Sequence, residues 1–210
     1  MIIDDHPMVR RGLRETLSAE ADMAVVAEAA RSEEVLTLLG TTTCDVVLLD
    51  LSLPGRGGID VLKDIRHDFP RVYVLIVSTY NESQYAVRAM RAGAAGYLSK
   101  NGAPEELVHA VRSVIQTGRY ITEAVGAALA EFALDDHKAP RHELLSDREY
   151  EVLRLLVGGR TVSDIASNLF LSVKTISTYR TRLMEKLGVR TTADLVRYAI
   201  ERQMFDQSRL

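Results

Sequence analysis

Short runs of β-branched and aliphatic residues recur through the first half of the chain, separated by stretches of helical periodicity. Val46-Val47-Leu48-Leu49, Val72-Tyr73-Val74-Leu75-Ile76-Val77 and Gly96-Tyr97-Leu98 read as strands, Val25-Val26 as another, and Ile2-Ile3 as the end of a further one. Apolar runs without polar alternation belong to strands covered on both faces, and therefore to a parallel sheet. Helical segments fall near 7–19, 31–40, 58–68, 83–92 and 104–117. Five βα units in sequence predict an α/β domain, a doubly wound five-stranded parallel sheet. Sheets of that kind gather their functional groups at the carboxyl ends of the strands. Only Met1, Ile2 and Ile3 precede Asp4, against about 5–6 residues in an average strand, so either the chain starts further upstream or its first strand is short.

The second half has a different grammar. Gly118 closes a helix, and Ala124 to Leu134 is Ala-rich and helical. Asp135-Asp136-His137-Lys138-Ala139-Pro140-Arg141-His142 is polar, contains proline and reads as a linker. The expected division is a first domain over 1–118, a helix-containing linker over 119–143 and an all-α domain over 144–210. In the last of these, Ser146 with Glu149 three residues on forms a capping box, and Gly158-Gly159 ends that helix. A second helix runs from Thr161 or Val162 to Leu169. Ser172 caps a third, Val173 to Leu187, which stops at Gly188, and Thr192 to Gln203 is a fourth. A short helix and a long one joined by a tight turn read as a crossed helix-turn-helix pair.

Composition removes several classes. An apolar content of 47% is too high for a disordered chain. No apolar run approaches the roughly 20 residues of a membrane span, and the N-terminus carries acid where a signal peptide carries base, so a cytoplasmic protein with no membrane partner is expected. Cys44 is the single cysteine, expected to be a small buried residue, and it rules out an internal disulfide. The net charge of −3 divides into −6 over residues 1–140 and +3 over 141–210. The back of the chain is thus the part suited to a polyanion.

Acids mark two strand ends. Asp4 and Asp5 follow Ile3, and Asp50 follows Leu49. Both ends lie on one edge of a parallel sheet, so these carboxylates are expected to meet, which is tolerable where they hold a cation such as Mg²⁺. Ser78 and Lys100 end two further strands and supply a hydroxyl and an ammonium for phosphoryl oxygens. Acids, cation, carboxylate nucleophile, hydroxyl and lysine together suit formation of an aspartyl phosphate. A haloacid-dehalogenase-type phosphatase also uses a strand-end aspartate with Mg²⁺. It needs a second Asp two residues on, where this chain has Ser52.

The helix Val173–Leu187 divides into two faces. Val173, Ile176, Leu183 and Leu187 are the expected core side. Lys174, Ser177, Thr178, Thr181, Arg182 and Glu185 form the other. Lys and Arg can neutralise phosphates, while Ser and Thr can contact base edges or the thymine methyl.

Asp4-Asp5-His6-Pro7, Asp50-Leu51-Ser52-Leu53-Pro54-Gly55, Ser78 and Lys100 resemble the receiver signature of two-component response regulators, with Leu53 in place of the usual methionine. Leu145-Ser146-Asp147-Arg148-Glu149, Ile165-Ala166, Leu171-Ser172, Lys174-Thr175-Ile176, Tyr179 and Lys186-Leu187-Gly188 resemble a LuxR-type DNA-binding domain. Over essentially its whole length the chain is similar to the NarL/FixJ family. That resemblance implies a flavodoxin-like receiver with Asp50 as phosphoacceptor. It implies Mg²⁺, or Mn²⁺, on Asp5, Asp50 and the Ser52 backbone carbonyl, with Asp4 close by. Ser78 and Tyr97 would move on phosphorylation, Lys100 would bind the phosphoryl group, and Ser52 and Tyr80 would tune its lifetime. His6 would serve helix entry beside Pro7. Ser177, Thr178 and Thr181 would face bases, with Lys174, Tyr179, Arg180 and Arg182 nearer phosphates. The implied partners are a sensor histidine kinase, double-stranded DNA, RNA polymerase and, in the active state, a second copy of the chain. No enzymatic turnover is expected.

Overall fold

The computed structural model describes residues 1–53, 56–79, 82–134, 141–202 and 204. Pro54, Gly55, Tyr80, the linker positions 135–140 and Gln203, all named above, lie outside them. The chain divides into two compact units, Met1–Phe132 and Ala133–Leu210.

The first unit alternates strand and helix: β1 (Ile2–Ile3), α1 (Pro7–Ser18), β2 (Glu28–Ala29), α2 (Ser32–Thr41), β3 (Val46–Leu49), α3 (Gly58–Asp68), β4 (Tyr73–Ser78), α4 (Glu82–Arg91), β5 (Gly96–Ser99) and α5 (Pro104–Thr117), followed by α6 (Glu123–Leu134). Pro7 and Pro104 open their helices, where a missing N–H leaves no bond unmade. Gly118 closes α5 at φ 80°, a left-handed conformation that suits glycine. All five strands are parallel, in the order β2-β1-β3-β4-β5. The order reverses between β1 and β3, which opens a crevice beyond their carboxyl ends. Ile2, Leu48, Leu75, Val77 and Leu98 pack against Leu17 of α1 and Leu107, Ala110 and Val114 of α5. Alternate residues such as Ile3, Val47, Leu49, Val74 and Ile76 are fully buried on the opposite face. The edge of β5 is covered, because the Tyr120 N–H donates to the Ala95 carbonyl at 2.8 Å and Tyr120 bridges Gly96.

Two expectations need correction here. The second strand lies at Glu28–Ala29 rather than Val25-Val26. Its position is set by hydrogen bonds to β1, with Ile2 N–H donating to Ala27 and Asp4 N–H to Ala29 at 3.0 and 3.1 Å. Val25 only partly joins the core, and Val26 is 48% exposed. Cys44 is half-buried rather than buried, with its thiol 3.0 Å from the Val46 carbonyl. The first strand is short, at two residues, yet it occupies an inner position. Its backbone is continued by Leu48 N–H donating to Met1 and Asp50 N–H to Ile3, at 2.9 and 2.8 Å.

The second unit is helical: a 3-10 turn at Arg141–Leu144, then α7 (Asp147–Val157), α8 (Val162–Asn168), α9 (Val173–Leu187) and α10 (Thr192–Glu201). The capping box of Ser146 and Glu149 forms at the start of α7. Equivalent boxes of Thr161 with Asp164 and Thr191 with Asp194 open α8 and α10, and Ser172 caps α9. Between α8 and α9 the chain turns at Phe170, whose φ of 54° is left-handed, and Leu171 N–H donates back to Ala166 at 2.9 Å. Leu153, Ile165, Ile176, Leu183, Leu187 and Leu195 are buried where α7, α8, α9 and α10 meet. Val173, expected in that core, is 51% exposed instead, because it stands at the first position of α9, before the turn that packs inward. Among the described residues no helix is long and apolar enough to cross a membrane.

One glycine controls the approach of α3 to the strand-end crevice. A Cβ on Gly58 would sit 2.5 Å from the Leu51 Cα and 2.6 Å from the Asp50 carbonyl oxygen, so the backbone itself would have to shift. Gly58→Ala is therefore expected to lower stability by about 1–3 kcal/mol in urea denaturation, the range for forced overpacking. Gly12→Ala, in open space within α1, should raise stability by about 0.5–1 kcal/mol through helix propensity.

Candidate functional site

The site follows from register. Ile3 pairs with Leu49 across the β1–β3 ladder, so the next residues, Asp4 and Asp50, emerge side by side. Ser78 pairs with Ser99 across β4–β5, and Lys100 N–H donates to the Ser78 carbonyl at 2.8 Å, so Lys100 leaves the sheet beside Ser78. The Lys100 ammonium then reaches over the crevice and lies 2.6 Å from Asp4 Oδ2 and 2.7 Å from Asp50 Oδ2. Asp4 and Asp50 are each 1% exposed.

The remaining acceptors are held by local backbone. Ser52 N–H donates to Asp50 Oδ1 at 3.1 Å, and His6 N–H to Asp4 Oδ1 at 2.8 Å. Arg10 donates to the Asp4 carbonyl at 2.6 Å, tying the first turn of α1 to the end of β1. His6 is the residue at which α1 begins, immediately before Pro7, and its Nδ1 lies 2.6 Å from Asp5 Oδ1. Ligand atoms of Asp4, Asp5, His6 and Asp50 all fall within 4.8 Å of one another. Three carboxylates in that space are an oxygen-rich donor set suited to a hard divalent cation. Ser78 and Tyr97 are fully buried, Tyr97 on β5 next to Leu98.

Burial pushes the Asp50 carboxyl above its ordinary value; attraction to Lys100 offsets only part of this, and Asp4 adds to it. For Lys100, burial pulls the ammonium down, but Asp50 and Asp4 together outweigh it and hold its pKa above the usual lysine value. Lys100 therefore stays charged throughout the neutral range and is the group that makes an ionised Asp50 tolerable.

In the second unit, α9 presents Lys174, Ser177, Thr178, Thr181 and Arg182 as exposed residues on one face, while Tyr179 and Arg180 are half-buried at its margin. Arg180 is bound to the first turn of α10, donating to Thr192 Oγ1 at 3.1 Å. The C-terminal half of α9 is fixed to α7 by Lys186, 2.5 Å from Glu149 Oε2, the same oxygen that caps the Ser146 N–H at 2.7 Å. Burial would raise the Glu149 carboxyl, but Lys186 and Ser146 outweigh it and hold the pKa below the ordinary glutamate value. Leu195 and Ala199 of α10 are buried and Ile200 is 45% exposed, so that helix divides between core and surface.

Sequence reading missed the clearance at Gly58, the tie from Arg10, and the Arg180–Thr192 and Lys186–Glu149 bonds. The capping boxes at Thr161 and Thr191 were missed too, although the Thr-x-x-Asp spacing was the signal that could have found them. The long-range bonds had no such signal, since only the fold brings those residues together.

A doubly wound domain with a carboxylate–lysine crevice at its switch point, followed by a separate helix-turn-helix unit, defines a two-domain regulator of transcription. The comparisons agree over both units. Residues 1–112 match the response regulator receiver domain, and residues 143–199 match the bacterial regulatory proteins of the luxR family. Response regulator UvrY of Escherichia coli (strain K12) is 35% identical over 201 residues, which is 95% of this chain and 92% of the relative. Response regulator GacA of Pseudomonas aeruginosa is 34% identical, covering 98% of this chain and 97% of its own. RcsB from Salmonella enterica serovar Typhimurium, solved bound to promoter rprA with a phosphomimetic, superposes with a TM-score of 0.64 at 31% identity, covering 94% and 96% of the two chains. The chain belongs to the two-component response regulators of the NarL/FixJ family, transcription factors rather than enzymes.

Replacing Lys100 by Ala leaves two buried carboxylates without their cation. Because the folded-state pKa of Asp50 is raised, its ionised form opposes folding above that pKa and ceases to do so as the pH falls through it. Lys100→Ala should therefore cost about 3–5 kcal/mol near neutrality, with the deficit narrowing towards acid. Urea denaturation across that range checks the slope.

Proposed function

We propose that this response regulator is switched by phosphorylation of Asp50 and that the switch controls DNA binding by α9. The observation that carries the reading is the Lys100 ammonium bridging Asp4 and Asp50 at adjoining strand ends, 2.6 and 2.7 Å away, with Ser78 beside it. A sensor histidine kinase is the proposed donor. An Asp50 carboxylate oxygen attacks the phosphorus of a phosphohistidine, the P–N bond breaks, and the imidazole leaves with its electron pair. Mg²⁺, or Mn²⁺ in its place, would be held by Asp4, Asp5, Asp50 and the Ser52 carbonyl and would supply neutralising charge for the phosphoryl oxygens. Lys100 and Ser78 offer an ammonium and a hydroxyl to those oxygens.

Phosphorylation adds a charge of about −1.5 to −2 at Asp50, by analogy with other phosphoresidues. Lys100 is then drawn to the phosphoryl group, and Ser78 and Tyr97 shift with it. The populations of two receiver states change by the difference in how each is stabilised. In the activated state two copies of the chain would place α9 in half-sites about one DNA turn apart, where RNA polymerase is the next partner. Ser177, Thr178 and Thr181 face bases, and Lys174, Tyr179, Arg180 and Arg182 lie nearer phosphates.

Acetyl phosphate should label the full chain stoichiometrically in the presence of Mg²⁺. Removal of the metal by a chelator should abolish labelling, as should Asp50→Ala. Continued stoichiometric labelling of the alanine variant would overturn the assignment, and an unlabelled wild type would mark the crevice as vestigial. On the DNA side, Lys174→Ala should weaken binding at low salt and reduce the slope of log affinity against log salt by about 0.9, the value for one phosphate contact. An unchanged slope would place Lys174 away from the backbone.

A further inference from the structure

Lys174, Ser177, Thr178, Thr181 and Arg182 make one exposed stripe along α9, with three hydroxyl side chains at its centre. Each hydroxyl is already committed as a donor. Ser177 Oγ–H donates to the Val173 carbonyl at 2.9 Å, Thr178 Oγ1–H to the Lys174 carbonyl at 3.0 Å, and Thr181 Oγ1–H to the Ser177 carbonyl at 3.0 Å. A carbonyl oxygen carries no hydrogen, so the direction of all three bonds is fixed. Two consequences follow for a ligand lying along this face. The hydroxyl oxygens retain lone pairs only, so they accept and do not donate. With Oγ1 turned back to the helix, the methyl is the group that Thr178 and Thr181 present outward.

The centre of the stripe also lacks a fork. No Asn or Gln occurs in α9. Arg180 is half-buried and bound to Thr192. The side chains able to pair with guanine, Lys174 and Arg182, therefore flank the three hydroxyls, and no amide is present to read adenine bidentately. In the major groove both pairs offer one amino donor, on adenine or on cytosine, and two acceptors, but only the A·T pair offers a methyl, that of thymine. The lone pairs can be met by either pair, so the outward threonine methyls are what discriminate, and they match the thymine methyl.

We propose that Thr178 and Thr181 determine sequence preference by packing their methyls on thymine C5-methyl groups, while the back-bonded hydroxyls, Ser177 included, accept from adenine amino groups. The bases under the middle of α9 are accordingly A·T pairs. This rests on the reading of α9 as the groove-facing helix and adds to it which bases it prefers and by which atoms.

The test uses the full chain with acetyl phosphate and Mg²⁺. Duplexes selected from a random library are resynthesised with deoxyuridine replacing each thymidine in turn, which deletes only the methyl. About one or two positions in each half-site should lose affinity about fourfold, the value of one buried methyl-sized group. Thr181→Ser should abolish the thymine–uracil difference at one of these positions by weakening the thymine duplex alone. Thr181→Val, which keeps a methyl but has no hydroxyl, should retain it. Thr178→Ser should act likewise at the neighbouring position. A specific, selected site whose affinity ignores every uridine replacement would sink the proposal and leave α9 as the reading helix. So would discrimination that survives both serine variants. Absence of any sequence preference would instead remove the reading beneath it.

Discussion

One ammonium group holds the receiver's working edge together. Lys100 lies within 2.7 Å of carboxylates from two different strands, and both carboxylates are almost wholly buried. Like charges so close in a poorly solvated crevice repel strongly, and a protein tolerates them only by neutralisation or by a cation. Lys100 supplies one positive charge against the three carboxylates of Asp4, Asp5 and Asp50. The carboxyl groups outnumber the ammonium, and a divalent ion would supply positive charge there. On the proposed reading, phosphorylation adds further negative charge to the same crevice. Acidic groups therefore already outnumber the one ammonium at this edge, and a single modification shifts the balance further.

The sheet acts as the ruler for that balance. Parallel pairing of β1 with β3 puts Asp4 next to Asp50, and pairing of β4 with β5 puts Lys100 next to Ser78. A slip of one residue in either ladder would turn every side chain to the opposite face and dissolve the crevice. What prevents the slip is burial on both faces of the strands, with Ile2, Ile3, Leu49, Leu75 and Ile76 at 2% exposure or less. Gly58 contributes in a different way: its missing side chain lets α3 start against the Asp50 carbonyl, fixing the loop that carries Ser52.

Much of this was legible in the sequence because the relevant signals are local. Uninterrupted apolar runs marked β3, β4 and β5, and the acids and lysine that follow strands marked the edge where Asp4, Asp50 and Lys100 meet. Edge positions were harder. Val25-Val26 has the stronger β-propensity, yet the backbone of β1 pairs with Glu28–Ala29, since an edge strand is chosen by its partner and not by its own hydropathy. Val173 fits the helical period of a core residue but precedes the first packed turn of α9. Contacts between distant residues, such as Arg180 with Thr192 or Lys186 with Glu149, leave no periodic trace and became visible only in three dimensions.

The composition of α9 makes the same point about energy. Val173, Thr175, Ile176, Ser177, Thr178 and Thr181 are middling helix formers, and back-bonded hydroxyls weaken a helix slightly further. Propensity alone would not keep such a segment helical, and most helical stability in proteins comes from packing. Here the support is tertiary and terminal: Ile176, Leu183 and Leu187 are buried, Ser172 caps the first turn, Gly188 closes the last at φ 71°, and Lys186 is fastened to Glu149. The exposed side chains are thereby relieved of structural duty. Their hydroxyls are fixed in place before any ligand arrives, so little rotamer entropy is left to lose on contact. A helix that folds only within its domain, and whose outward atoms are ordered in advance, can offer a small set of methyls and lone pairs as a defined chemical face.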